Sequence, residues 1–332
     1  MGTKTALFSR KQSGGIFTIV DQSMTTGDIW FVDSNCTGGG TTSGYGRNPD
    51  SAFTTLASAL AQATASKGDI IYVMPGHAET LTAALAVNVA GIKIIGLGNG
   101  SNRPTFTLTG QVPAFNVKGA NTTISNLAFY SATASTSYAM NLMRVAASNV
   151  LIAGCEFKIN QKMYHTVRIV SGDNVRFEDC VFLNTYAPGA GAAGIKAQDC
   201  ILNIGGTKVV VLRCRFNDIS ADAAHKWKAC VEGGKLTASL TVEECTFVCR
   251  GIATRTRTAA ASGFMATLYC RGISPSSNTA VGAIFTPTFQ YIVETYNVAA
   301  VNKVGVVTVT TSDLRLKRNV VSLNSVPFRK AA

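Results

Sequence analysis

With 332 residues, 46% of them apolar and only 14% charged, the chain is too hydrophobic for a disordered segment and too weakly charged for a coiled coil. Glycine (31) and proline (8) are too few and too irregularly placed for a collagen-like repeat, and the many Thr, Ser, Asn and Val residues point to β-structure. A net charge of +12, from 30 basic and 18 acidic residues, favours an acidic partner and says nothing about fold.

Lys4, Arg10 and Lys11 give residues 1–20 a charge of +3. The apolar run that follows, residues 16–20, is too short for a signal peptide, so synthesis without a secretory leader is expected. No membrane span is expected either: the best candidate, residues 83–98, is interrupted by Asn88 and Lys93. The nine cysteines are odd in number and are read as reduced thiols. Residues 29–32 read as a strand, and residues 36–46 as a Gly/Ser/Thr loop. Residues 53–66 read as an amphipathic helix, with Phe53, Leu56, Leu60 and Ala63 on one face and Thr54 or Thr55 as the cap. Residues 69–74 read as a strand closed by Pro75-Gly76.

A repeat then dominates. Its pattern is apolar-x-apolar-x-x-[Cys/Leu]-x-Phe. The copies are Thr122/Ile124/Leu127/Phe129, Val150/Ile152/Cys155/Phe157, Val175/Phe177/Cys180/Phe182, Val209/Val211/Cys214/Phe216 and Leu240/Val242/Cys245/Phe247. A degenerate earlier copy is Ile92/Ile94/Leu97, with Asn99 in the Phe place. Successive copies start 25 to 34 residues apart, so loops of variable length interrupt a constant core. Positions i and i+2 share one strand face, and i+5 and i+7 share another. The odd step between them demands a bend, at Ser125-Asn126, Ala153-Gly154, Glu178-Asp179, Leu212-Arg213 and Glu243-Glu244. A third strand per copy fits Phe115/Val117, Met143/Val145, Val167/Ile169 and Leu202/Ile204. Strands joined at bends and recurring in this way describe coils of a parallel β-helix.

Stacked coils place equivalent residues above one another, so Phe129, Phe157, Phe182, Phe216 and Phe247 form an interior aromatic stack. Cys155, Cys180, Cys214 and Cys245 form a thiol ladder beside it, read as small core hydrophobes. In-register stacking does not converge thiolates on one point, so no metal site is expected there, and no cofactor.

The opening of the chain adds a resemblance. Asp33, Gly38-Gly39-Gly40, Pro49, the 53–66 helix, Gly68-Asp69 and Pro75-Gly76 follow the pattern of strand, Gly-rich loop, proline, cap helix and Gly-Asp-led strand. Together with the coils, over about residues 28–255, the chain resembles pectate-lyase-like right-handed parallel β-helix proteins. That resemblance is specific for fold and poor for function, because the fold hosts lyases, hydrolases, phage tailspikes and non-enzymatic virion proteins. With basic ends and no leader, the chain most resembles phage-encoded β-helix virion proteins, which implies a homotrimer in the virion.

The expected organisation is a basic arm (1–27), an N-terminal cap (28–85), a parallel β-helix of about six or more coils (86–255), and a C-terminal β extension with a basic tail (256–332). Lys303, Arg315, Lys317, Arg318, Arg329 and Lys330 against Asp313 give residues 301–332 a charge of +5. The two ends thus carry +8 of the +12, which suits arms that dock on an acidic surface.

Signals for chemistry are sparse. Pectate-lyase-type catalysis needs clustered carboxylates for Ca²⁺ and a base. Glu178 and Asp179, with Glu243 stacked beyond them, are the first candidates, though Arg213 interrupts their column. Asp218 and Asp222, with Asp199, lie near the long insertions and are the second. His77, His165 and His225 read as structural; His77-Ala78-Glu79 lacks the Pro-Cys-x-x-Cys half of a zinc deaminase. Gly96-Leu97-Gly98 opens no helix, so it is not a dinucleotide fingerprint. No aromatics interleave with the terminal basic residues, which argues against nucleic acid.

The sequence therefore favours a non-enzymatic virion protein, a capsid decoration or cement protein that docks through its basic termini on the major capsid protein or another virion protein. The alternative is a tailspike-like protein that binds or depolymerises a host surface polysaccharide, which would require two close, exposed carboxylates.

Overall fold

A computed structural model of the chain describes residues 8–10, 17–19, 27–109, 115–131, 141–160, 163–185, 199–219, 227, 229–233, 240–249, 314–317 and 320–323. Among these residues the strands form three parallel sheets of nine, eight and seven strands, with a separate antiparallel pair, Phe8–Arg10 against Phe17–Ile19. From Ile70–Val73 to Thr246–Cys249 the chain visits the three sheets in a fixed cyclic order. One circuit runs through Met143–Ala146 in the third sheet, Val150–Ala153 in the first and Glu156–Ile159 in the second. The next begins at His165–Asp173 in the third sheet again. Each strand pairs with its equivalent one circuit on, as in Val150 with Val175, Phe157 with Phe182 and Met143 with Val167. This connectivity is compatible with a parallel β-helix and excludes an antiparallel sandwich.

Two corners of the circuit each turn on one residue in the left-handed region. Between the third and first sheets these residues are Asn121, Asn149, Asn174 and Lys208, with φ from 52° to 56°. Between the first and second sheets they are Asn126, Gly154, Asp179, Arg213 and Glu244, with φ from 50° to 60°. One such residue breaks the strand alternation, which accounts for the odd step within each repeat. Asn tolerates this conformation because its short amide bonds locally. Here the amides also bond to one another: Asn149 Nδ2 donates to Asn121 Oδ1 (3.0 Å) and Asn174 Nδ2 to Asn149 Oδ1 (3.2 Å). The main chain pairs through the corners as well, Asn149 N to Asp173 O (2.8 Å) and Gly154 N to Glu178 O (2.9 Å). These bonds carry the main-chain ladder through the described corners. The third corner, from the second sheet to the third, carries the variable insertions; residues 132–140, 186–198 and 220–226 lie outside the described ones.

The interior is a column of rings. Phe106, Phe129, Phe157, Phe182 and Phe216 stack with centroids 6.1, 5.0, 4.9 and 4.8 Å apart, and all are fully buried. Phe115 meets Phe129 edge-on at 4.8 Å. Phe247 is the backbone partner of Phe216, and its side chain lies outside the described residues. Cys155, Cys180, Cys214 and Cys245 are buried beside the rings. Each thiol lies near two main-chain carbonyls, one just before its own bend and one in the preceding circuit, as with Cys180 Sγ to Glu178 O (3.3 Å) and Ile152 O (3.4 Å). Cysteine thus supplies a small apolar body with a weak donor where carbonyls turn inward.

Three sequence expectations need correction. Phe106, not Asn99, takes the Phe place in the first repeat: it pairs with Phe129, and Asn99 is exposed. The corner there is enlarged by a 3-10 turn, Gly100–Asn102, and Asn126 Nδ2 reaches back to Gly96 O (2.8 Å) and Gly98 O (2.9 Å) to satisfy it. The inward pair of strand Asp199–Asn203 is Ile201 and Asn203, not Leu202 and Ile204. Asn203 is tolerated inside because its amide accepts from Gly206 N (2.8 Å) and donates to Gly206 O (3.1 Å). The helix is shorter than read. It spans Leu56–Gln62 with Thr55 as N-cap, because the main chain of Phe53 is already paired with Phe31 O (2.9 Å) and Asp33 N (2.7 Å).

Beyond residue 250 two short strands are described. Leu314–Lys317 pairs in parallel with Leu240–Glu243, and Val320–Leu323 with Thr246–Cys249, so residues 314–323 form a further step of the first two sheets.

Phe182→Ala is expected to cost about 3–5 kcal/mol in urea denaturation, since the ring sits between two stacked neighbours in a fully buried site. A loss under about 1 kcal/mol would place it outside the core. Asn149→Ala removes the middle of the asparagine ladder and the short amide that eases the φ of 55°, for an expected loss of about 1–2 kcal/mol by the same measurement.

Candidate functional site

The first-to-second corner holds the densest charge among the described residues. Glu178 and Asp179 are successive residues at one bend, and Arg213 occupies the equivalent of Asp179 one circuit on. Arg213 forks onto Asp179, Nε to Oδ1 and Nη2 to Oδ2, both at 2.8 Å. Its Nη2 is also 3.9 Å from Glu178 Oε2. Arg176 bonds Glu178 Oε1 through Nε at 2.8 Å and through Nη2. Hydrogen bonding from Arg213 holds the Asp179 carboxyl below its ordinary value of 3.8, with its partial burial opposing. The bond to Asp179 in turn raises Arg213. Glu243 does not meet Glu178, because Leu212 stands between them in register.

This arrangement is an ion-pair network. General acid catalysis needs a carboxyl whose proton is retained near neutrality, and the Asp179 shift runs the other way. The set does not fit Ca²⁺ either, which takes six to eight oxygens; the carboxylate oxygens here face guanidinium groups. Among the described residues no three His, Cys, Asp or Glu side chains gather into a metal-binding group.

Asp218 was the second catalytic candidate. Its side chain is fully buried and accepts from Trp227 N (2.7 Å). Asp222 and His225 lie outside the described residues, as does the side chain of Asp199. His77 is buried; Ser34 N donates to its Nδ1 (2.9 Å), which leaves the proton on Nε2, 3.4 Å from Glu79 Oε2. The same Glu79 oxygen accepts from Leu56 N (2.9 Å) at the start of the helix, so this pair ties strand to helix. His165 lies beside Tyr164, with ring centroids 6.2 Å apart.

The other acids of the N-terminal part are structural too. Asp69 accepts from Asp28 N (2.7 Å) and Thr64 N (2.8 Å), which explains the Gly-Asp pair before this strand. Asp28 pairs with Arg47 (2.7 Å) and Lys67 (2.6 Å), and Arg47 lies 3.7 Å over the Trp30 ring. On the outer face of the second sheet, Glu156 meets Tyr130 Oη (3.2 Å) and Arg103 (3.5 Å). Partial burial, and then Glu156, raise the Tyr130 hydroxyl.

Of the docking residues, Arg10 ends strand Phe8–Arg10, paired with Phe17. Arg315 and Lys317 lie in strand Leu314–Lys317, in register with Thr241 and Glu243. Lys4, Lys11, Arg318, Arg329 and Lys330 lie outside the described residues.

One constellation was missed by the sequence reading. Arg144 and Arg168 project from adjacent strands of the third sheet, in register with each other and with Asn116. The signal was present as apolar-Arg-apolar at the same coil position, Met143-Arg144-Val145 and Val167-Arg168-Ile169.

No family model matches the chain, and no curated protein does. Among solved structures the chain is similar to a rhamnogalacturonan lyase, at 14% identity and a TM-score of 0.43, over 68% of this chain and 70% of that one.

Arg213→Ala is expected to return Asp179 to an ordinary titration near 3.8, read by NMR of its carboxyl carbon. Because the folded value is depressed, the stabilisation from the pair is complete above the ordinary value and is lost as pH falls through the folded one. The urea-midpoint difference between parent and variant should therefore shrink below about pH 3.8. An unchanged Asp179 titration would remove the assignment.

Proposed function

We propose that the chain forms a right-handed parallel β-helix of six or more coils, capped by the Leu56–Gln62 helix, and serves as a non-enzymatic bacteriophage virion protein. In this reading it decorates or cements the capsid, docks on the shell through its basic terminal segments, and assembles as a homotrimer. The observation that carries the proposal is the state of the carboxylates. Glu178, Asp179, Asp218, Asp69, Asp28 and Glu156 are each held by a cation, a main-chain amide or both, which supports a scaffold over a depolymerase. Four thiols and five phenylalanines stacked without interruption fit a rigid particle-surface element.

Quantitative mass spectrometry of purified particles tests this directly. A copy number comparable to the shell subunit is expected. A few copies per particle would replace the decoration role with the tailspike-like reading, and absence would overturn both.

The docking segment calls for substitution instead of truncation, because residues 314–323 are paired into the sheets. Exchanging Lys4, Arg10, Lys11, Arg329 and Lys330 for Gln is expected to weaken rebinding to stripped particles about tenfold at low salt, with the difference fading at high salt. Equal binding by parent and variant would remove the terminal docking model.

A further inference from the structure

The arginines with described side chains divide by partner, and the exposed Arg215 stands alone on the second sheet without a carboxylate among the described residues. Arg47, Arg103, Arg176 and Arg213 each have a carboxylate within 4 Å. Arg144 and Arg168 have none among the described residues, although they stand side by side. Both are half-buried members of strands whose neighbouring residues, Met143, Val145, Val167 and Ile169, point into the core, so the two guanidinium groups project from the outer face. Arg144 Nη1 donates to Asn116 Oδ1 (3.0 Å), which directs it along the column. Arg168 Nε is buried and has no hydrogen-bond partner. The next column member is Leu202.

Two like charges at one strand spacing, about 4.8 Å, repel. A buried guanidinium donor without an acceptor adds a further cost. The repulsion is relieved by one group, a carboxylate that takes a terminal donor from each guanidinium in the charge-assisted geometry that arginine favours, while the buried Arg168 Nε stays outside that contact. The spacing suits one anion shared by two arginines, and the column carries no aromatic ring on which a base could stack. Leu202 beside it offers apolar contact of the kind found at protein interfaces.

We propose that Arg144 and Arg168, positioned by Asn116, form a carboxylate-docking site on the outer face of the third sheet that takes an Asp or Glu side chain of an acidic protein partner. The assignment of that partner to the virion shell rests on the function proposed above; the site itself does not.

The test has two arms. In the first, a fluorescent hexaglutamate peptide is titrated into the intact protein at low salt and followed by anisotropy. Binding is expected to weaken at least fivefold in Arg144→Gln/Arg168→Gln, less in Arg144→Lys/Arg168→Lys, which keeps the charge but loses the fork. It should be unchanged in Arg215→Gln, an exposed arginine in the second sheet. Thermal unfolding of each variant confirms the fold. Equal binding by parent and the Gln pair, or an equal loss in Arg215→Gln, would overturn the site. Inorganic phosphate that binds the arginine pair more tightly than the peptide would make it a free-anion site and overturn the protein partner. In the second arm the Gln pair is rebound to stripped particles, with at least a fivefold loss expected. Full occupancy alongside lost peptide binding would overturn this face as the docking surface and leave the virion reading standing. Failure of the parent protein to bind particles would defeat the virion reading, while the peptide arm still decides the site.

Discussion

The structure depends on in-register parallel pairing that does not stop at the corners. In an ordinary parallel sheet the connections leave the ladder and must find other partners for their peptide groups. Here the corner residues Asn121, Asn149, Asn126, Gly154, Asp179 and Arg213 donate their own amides to the next circuit. That requires every circuit to turn by the same amount at the same place, and one left-handed residue per corner does so. The phenylalanine column, the thiol ladder and the asparagine chain are consequences of that register, since identical geometry one spacing apart selects identical side chains.

The corners also show where this rule is costly. Asn and Gly reach the left-handed region at little expense, but Lys208, Arg213 and Glu244 occupy it with long side chains. Each lies beyond residue 200, and two of them carry ion pairs there: Lys208 with Asp173 at 3.3 Å and Arg213 with Asp179. Exposed pairs return little, so the early circuits hold the better-adapted corners.

Much of this was legible in the sequence because the repeat obeys strand parity. The Val-x-Ile-x-x-Cys-x-Phe spacing reveals two strands and a bend, and it places Phe129, Phe157, Phe182 and Phe216 correctly in one column. What was hidden has physical reasons. Asn99 was taken for a Phe-equivalent because the enlarged corner at residues 97–104 changes the count while Asn126 closes it from the following circuit. Leu202 reads as inward because Asn203 is polar, and only the bonds of Asn203 to Gly206 make Asn203 a core residue. Asp218 is singled out by its place beside an insertion, and its burial against Trp227 N is a feature the letters do not carry. The arginine column is visible in the letters, but that none of the described acids reaches it is a property of three dimensions.

Leu314–Lys317 and Val320–Leu323 sit directly on Leu240–Glu243 and Thr246–Cys249, far from them in sequence. Seats in the ladder are therefore assigned by register and not by covalent proximity. A peptide-bond break anywhere in residues 250–313 would leave these two strands attached through their main-chain bonds and not through the chain. Such a nicked molecule would run as two pieces in denaturant and as one in native buffer. Losing these two strands altogether would instead bare the strand edges of residues 240–249, an open template for pairing with any other extended segment.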